Sequence, residues 1–159
     1  MHMYPLHRNR AFSLIELVIV VVILGIIGAI AIPRMSRGAA GAADSAVVSD
    51  LAVLRSAIDL YHTEHAGAYP ELQKFEAQLT QYSDINGNTS ATKDTTHIYG
   101  PYLRSIPKQK VGPNKGYAGV TDTQGTANVG WWYTAATGTI KVNAPDTVLD
   151  DRGVAYTSY

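Results

Sequence analysis

Glu16 is the residue whose chemistry stands out first. From Leu17 to Ile32 the chain carries no charge and no hydrogen-bonding side chain, only Leu, Val, Ile, Ala and two glycines. A carboxylate at the head of such a run costs up to about 3 kcal/mol if carried to mid-membrane, so it is a functional candidate by default. The plainer account is a carboxyl group that snorkels to an interface or is neutralised by protonation. Three other sets could do chemistry. His62 and His65 lie one turn apart in His62-Thr63-Glu64-His65, but the zinc-protease spacing and a third ligand are missing, so the stretch reads as a solvated helix end. Asp146, Asp150 and Asp151, with Asp122 further back, offer the oxygen ligands calcium prefers, although acidic turns are common without a metal. Arg104, Lys108, Lys110 and Lys115 form a basic cluster without intervening acids. That suits phosphate contacts, yet no aromatic residues interleave for base stacking, and nucleic acid is not the expected partner. No cysteine is present, which removes thiol nucleophiles, thiolate metal sites and disulfide staples. No nucleophile–base set, phosphate loop or carboxylate pair stands out, so no enzyme and no required cofactor is expected.

The elements that would position these residues follow from hydrophobic periodicity. Phe12 to Ile32 is about 20 residues, the length of a helix crossing a bilayer. Arg8 and Arg10 precede it and no acid does, which keeps that end cytoplasmic and places the rest outside. A rival reading takes Ala29-Ile30-Ala31 as an ordinary secretory cleavage site, but Glu16 fits such a core poorly. Phe12 to about His65 reads as one long helix, with Gly25, Gly28 and Pro33 as points of interruption or kinking. In its second half Val47, Leu51, Leu54, Ile58 and Tyr61 recur at spacings of four and three, an amphipathic stripe packed on a domain. Glu71 to Tyr82 predicts a short helix, Asp84 to Thr96 a surface loop, and Gly116 to Val120 a strand. Trp131 to Thr134 and Thr139 to Val142 predict a hairpin, with one Trp inward and one outward. Val154 to Thr157 predicts a final strand.

The segment Ala11-Phe12-Ser13-Leu14-Ile15-Glu16-Leu17, behind a basic leader and before an unbroken apolar run, resembles the processing site of type IV prepilins and type II secretion pseudopilins. The resemblance implies cleavage between Ala11 and Phe12, N-methylation of Phe12, and a filament-assembly role for Glu16. The family strongly prefers Gly where this chain has Ala11. It further implies local unwinding of the helix between Gly25 and Pro33 on packing into a filament. Gly67-Ala68-Tyr69-Pro70 and Gly100-Pro101-Tyr102-Leu103 resemble pseudopilin segments. The Asp-Pro-Trp-Gly segment usual there is replaced by Lys108-Gln109-Lys110-Val111-Gly112. The calcium ion of major pseudopilins makes Asp146, Asp150 and Asp151 its candidates here.

The expected organisation is a leader at 1–11, a transmembrane and filament-core helix at 12–33, an amphipathic continuation at 34–66, and a head at 67–159. The head divides into a loop region at 67–115 and a sheet at 116–159. The expected fold class is α+β, a long N-terminal helix packed on a small antiparallel β-sheet. Removing Arg8 and Arg10 from 13 Lys+Arg leaves 11 against 13 Asp+Glu, so the processed chain is only slightly acidic. The expected function is a structural subunit of a type IV-type filament, preferably a type II secretion pseudopilin. Its partners would be further copies of itself, a prepilin peptidase/methyltransferase, an inner-membrane assembly platform and the lipid bilayer. A type IV pilus pilin and a monomeric membrane-anchored binding protein remain open.

Overall fold

The computed structural model describes residues 12–159, and side-chain surroundings within these are described outside 31–40. Helix α1 runs Leu14–Glu64, and the chain divides into two units after Ala39, inside that helix. In the first unit the apolar side chains from Leu14 to Ile30 face outward, roughly half exposed or more. The second unit holds the core. Val47, Leu51, Leu54, Ile58 and Tyr61 are all buried, as the four-and-three spacing requires. They pack with Phe75, Leu79, Trp131, Tyr133 and Ile140 in one cluster.

The end of α1 is written into its last turn. Ala66 takes a left-handed φ of 54°, and Gly67 N donates to His62 O at 2.9 Å. That bond closes a Schellman-type terminus, in which a left-handed residue lets the chain turn away while satisfying a terminal carbonyl. A 3₁₀ turn at Leu72–Lys74 and helix α2, Phe75–Thr80, replace the single helix expected over 71–82. The buried side chain of Gln78 explains the break: its Oε1 accepts from Glu71 N and its Nε2 donates to Gly87 O, fastening both flanks. Strands β1, Tyr82–Ser83, and β2, Thr89–Ser90, form a small hairpin around Asp84, whose carboxylate collects Asn86 N, Asn88 N and Asn88 Nδ2.

The second sheet orders β3, Val120–Thr121, then β4, Trp131–Thr134, then β5, Thr139–Val142. The β4–β5 hairpin stands where the sequence places it, pairing Trp131 with Val142 and Tyr133 with Ile140, all four inward. Its turn needs Gly138: φ is +68°, and a Cβ there would sit 2.3 Å from the Tyr69 ring. Three expectations are corrected. The strand expected over 116–120 is only Val120–Thr121, since Gly116 N and Tyr117 N donate into the preceding loop, to Gln109 O and Asn114 O. The sheet is mixed rather than antiparallel, because β3 runs parallel to β4. The loop between them re-enters in the same direction because Asn143 holds it, donating to Thr126 O and Val129 O and accepting from Gly125 N. Nor does Val154–Thr157 form a strand. Asp150 captures Arg152 N and Val154 N in a turn, leaving one bridge, Leu149 with Ala155, and a 3₁₀ turn at Tyr156–Ser158.

Candidate functional site

Glu16 sits in the first turn of α1, three residues after Ser13. Its Oε2 accepts from Ser13 N at 2.9 Å, the backward half of a capping box, satisfying an amide that the helix leaves without an internal partner. The negative charge also faces the positive end of the helix dipole. Sequence reasoning passed over this contact, although Ser13-Leu14-Ile15-Glu16 spells the Ser-x-x-Glu signature. One carboxylate oxygen makes the cap, and a carboxylate accepts at both, so the group keeps capacity for a second donor.

The neighbouring positions complete the picture. Phe12 is 82% exposed at the start of the described chain, and Ala11 lies outside the described residues. A Cβ built on Gly25 or Gly28 meets nothing within 4 Å, so packing within this chain demands neither glycine. The helix is assigned without a break through Gly25 and Pro33, and the Pro33 side chain is among those not described. Among the described residues, no helix is long and apolar enough to cross a membrane. Leu14 to Ile30 extends about 25 Å at 1.5 Å per residue, short of a hydrocarbon core of about 30 Å.

In the head, the three candidate calcium ligands do not share a site. Asp146 accepts from Thr157 Oγ1 and Gln124 Nε2, which hold its carboxyl below the usual carboxylate range. Asp150 accepts from the Tyr159 hydroxyl, from Arg152 and from Val154 N, and its carboxyl is driven lower still, the Tyr159 bond being the largest cause. Asp151 lies by α1, its N donating to Asp44. Among the described residues no group of three metal-ligating side chains converges.

His65 is corrected from a solvated helix end to a core residue, 2% exposed. Its ring stacks on Tyr61 at 3.7 Å, Nδ1 donates to Tyr61 O, and Nε2 accepts from the Ser83 hydroxyl. Burial raises the neighbouring Tyr61 hydroxyl to about 12, and burial with the Glu64 hydrogen bond pushes Tyr102 higher. His62 stacks instead on Tyr69. In the basic cluster Lys110 pairs with Asp50 at 3.4 Å, while Arg104, Lys108 and Lys115 are exposed. Trp131 is fully buried with Nε1 donating to Pro107 O. Trp132 is half-buried, with Lys141 Nζ 5.6 Å from its ring centre.

Residues 6–32 match the prokaryotic N-terminal methylation motif. The matched stretch contains Ala11, Phe12, Glu16 and Gly25, and it fits a type IV pilin-like filament subunit. It implies processing by a prepilin peptidase and pilin-like assembly. No curated protein and no solved structure matches the chain.

Proposed function

We propose that this chain is cut between Ala11 and Phe12, methylated on the new amine, anchored by its apolar helix in a bacterial inner membrane, and polymerised into the pseudopilus of a type II secretion system. The observation that carries the reading is the methylation motif at residues 6–32, with Glu16 inside it on the first turn of α1. Cleavage turns the Phe12 amide into an ammonium group. Its charge survives methylation, and in a low-dielectric filament core it neutralises the Glu16 carboxylate of a neighbouring copy, which alone would be strongly penalised. The apolar run continues in sequence through Ala31 and Ile32, which gives it spanning length with the head outside. The Gly100-Pro101-Tyr102-Leu103 segment and the absence of cysteine favour a pseudopilus over a pilus. In this reading the chain works by assembly on an inner-membrane platform, without catalysis, cofactor or nucleic acid.

The first test is the intact mass and terminal sequence of the protein from its host's membrane. An N-methylated Phe12 is expected; a start at Ile32 would replace the filament reading with a secreted head. Complementation of a secretion defect, set against one of motility or adhesion, then separates pseudopilus from pilus.

A further inference from the structure

The water-facing side of α1 in the head is unusual. Ser45, Ser49, Ala52, Val53, Ser56 and Leu60 share one stripe at 3.6 residues per turn, all exposed and none charged. An exposed helix face ordinarily carries its charges there. Here Arg55 and Asp59 are pushed to one edge, and Val53 and Leu60 stand 48% and 49% exposed. Beside the stripe, Tyr102 and Leu103 wall a groove of about 380 Å³. Small Ser and Ala side chains on its floor allow close approach.

The head also carries an apolar projection. Leu149 is 51% exposed and Val154 40%, and the two flank the Asp150 turn, whose carboxylate accepts from Arg152 N and Val154 N and fixes the loop's shape. This loop is tied to Asp44 and Arg55 of α1, by the Tyr156 hydroxyl and Asp151 N to Asp44, and by Arg55 to Tyr159 O. The groove is tied to Glu64, which accepts from the Tyr102 hydroxyl at 2.6 Å. At about 100° per residue, Asp44 and Arg55 share one flank of the helix, while Glu64 and Val53 share the roughly opposite one. Along the axis the projection at Asp44 and the groove centre near Val53–Ser56 are offset by about 15 Å.

We propose that the groove beside Val53 and Leu60 receives the Leu149–Val154 projection of a second copy of this chain. The inference rests on the filament reading and names the head contact within it. A groove on one flank and a projection on the other are different surfaces, so a contact between them is heterologous. They pair head to tail, and their axial offset turns that pairing into an open screw rather than a closed ring. Exposed charges of both signs neighbour each surface in sequence, Arg104 after Leu103 and Asp59 before Leu60 at the groove, Asp151 and Arg152 within the projection. Their role is to set register more than affinity.

The cysteine-free chain makes a clean test. Full-length Val53→Cys and Leu149→Cys chains are co-expressed in the host, and sheared filaments are oxidised. Val53–Leu149 disulfide dimers are expected from the mixture, a ladder from the double variant, and no dimer from either variant alone. Filaments that form normally without the mixed dimer, or that link Val53 to Val53, overturn the proposed contact and leave the filament reading standing. Absence of filaments from the unaltered chain overturns both. As a second measurement, Val53→Asp should lower filament yield roughly tenfold, the effect of one lost hot-spot contact, with unchanged thermal unfolding of the head. Val53→Asp combined with Leu149→Lys should recover much of that yield; no recovery would count against direct contact.

Discussion

Between Leu14 and Ile30, α1 buries almost none of its side chains, whereas between Val47 and Tyr61 the same helix hides a full stripe against β4 and β5. Burying the exposed halves of the Leu, Ile and Val side chains in the first stretch would release on the order of 10 kcal/mol. That energy is not collected within the chain. In the head, by contrast, the buried Gln78, Asn114 and Asn143 all have hydrogen-bond partners, and the buried Asp50 Oδ2, which lacks one, faces Lys110 Nζ at 3.4 Å. The difference teaches that the two regions are specified differently: the head by its own contacts, whereas the apolar side chains from Leu14 to Ile30 stay exposed.

Trp131→Ala should produce the largest effect on this contrast. It empties the core and strips the donor from Pro107 O, so a loss of about 4 kcal/mol is expected in thermal unfolding of the full chain. Intact mass should still report cleavage at Phe12, because the motif does not depend on the head. Joint loss of processing and folding would break the separation.

Acid should divide the regions more gently. Asp150 and Asp146 are held below the usual carboxylate range, so their contribution is fully present above about pH 4 and is lost as pH falls toward their folded values. The melting temperature of the head should therefore drop between pH 5 and pH 2, and Asp150→Asn should flatten that drop while lowering stability at neutral pH. An unchanged slope would mean that the Asp150 turn adds nothing to the fold.

Glu16 allows a finer cut. Glu16→Val removes both cap and charge, and Glu16→Gln keeps an acceptor for Ser13 N. The cap alone should be worth about 1 kcal/mol of local helix stability, read as amide exchange at the start of α1. If filament yield falls with both variants, the charge carries assembly. Full rescue by Gln would leave the cap as the whole role and defeat the ammonium pairing. Ala66→Gly is the smallest change: releasing the left-handed Ala66 should stabilise the head by about 1 kcal/mol in denaturant melts, with no effect on assembly.

Periodicity made the core stripe of α1 legible, and alternation with a glycine turn made β4–β5 legible, because both are local patterns. The parallel placement of β3 was not, since it depends on Asn143 reaching back to Gly125, Thr126 and Val129. The missing last strand has a similar cause: one buried carboxylate, Asp150, takes the amides a ladder would have used. His65 was misread because its place at the helix end suggested water, while stacking on Tyr61 and the Ser83 contact draw it inward. At the candidate site the residue types were plain in the sequence. The Glu16 cap was also readable there, from the spacing of Ser13 and Glu16, and needed only the question of where the first amides of α1 find acceptors.

The ties from Asp44 to Tyr156 and Asp151, and from Arg55 to Ile140 and Tyr159, have a mechanical consequence. They join positions far apart in sequence across two successive regions of the helix, so tension along α1 loads several of them side by side in shear instead of peeling them one by one. With no cysteine to form a permanent staple, the head would give way to such tension by breaking hydrogen bonds, which can re-form when the load is released.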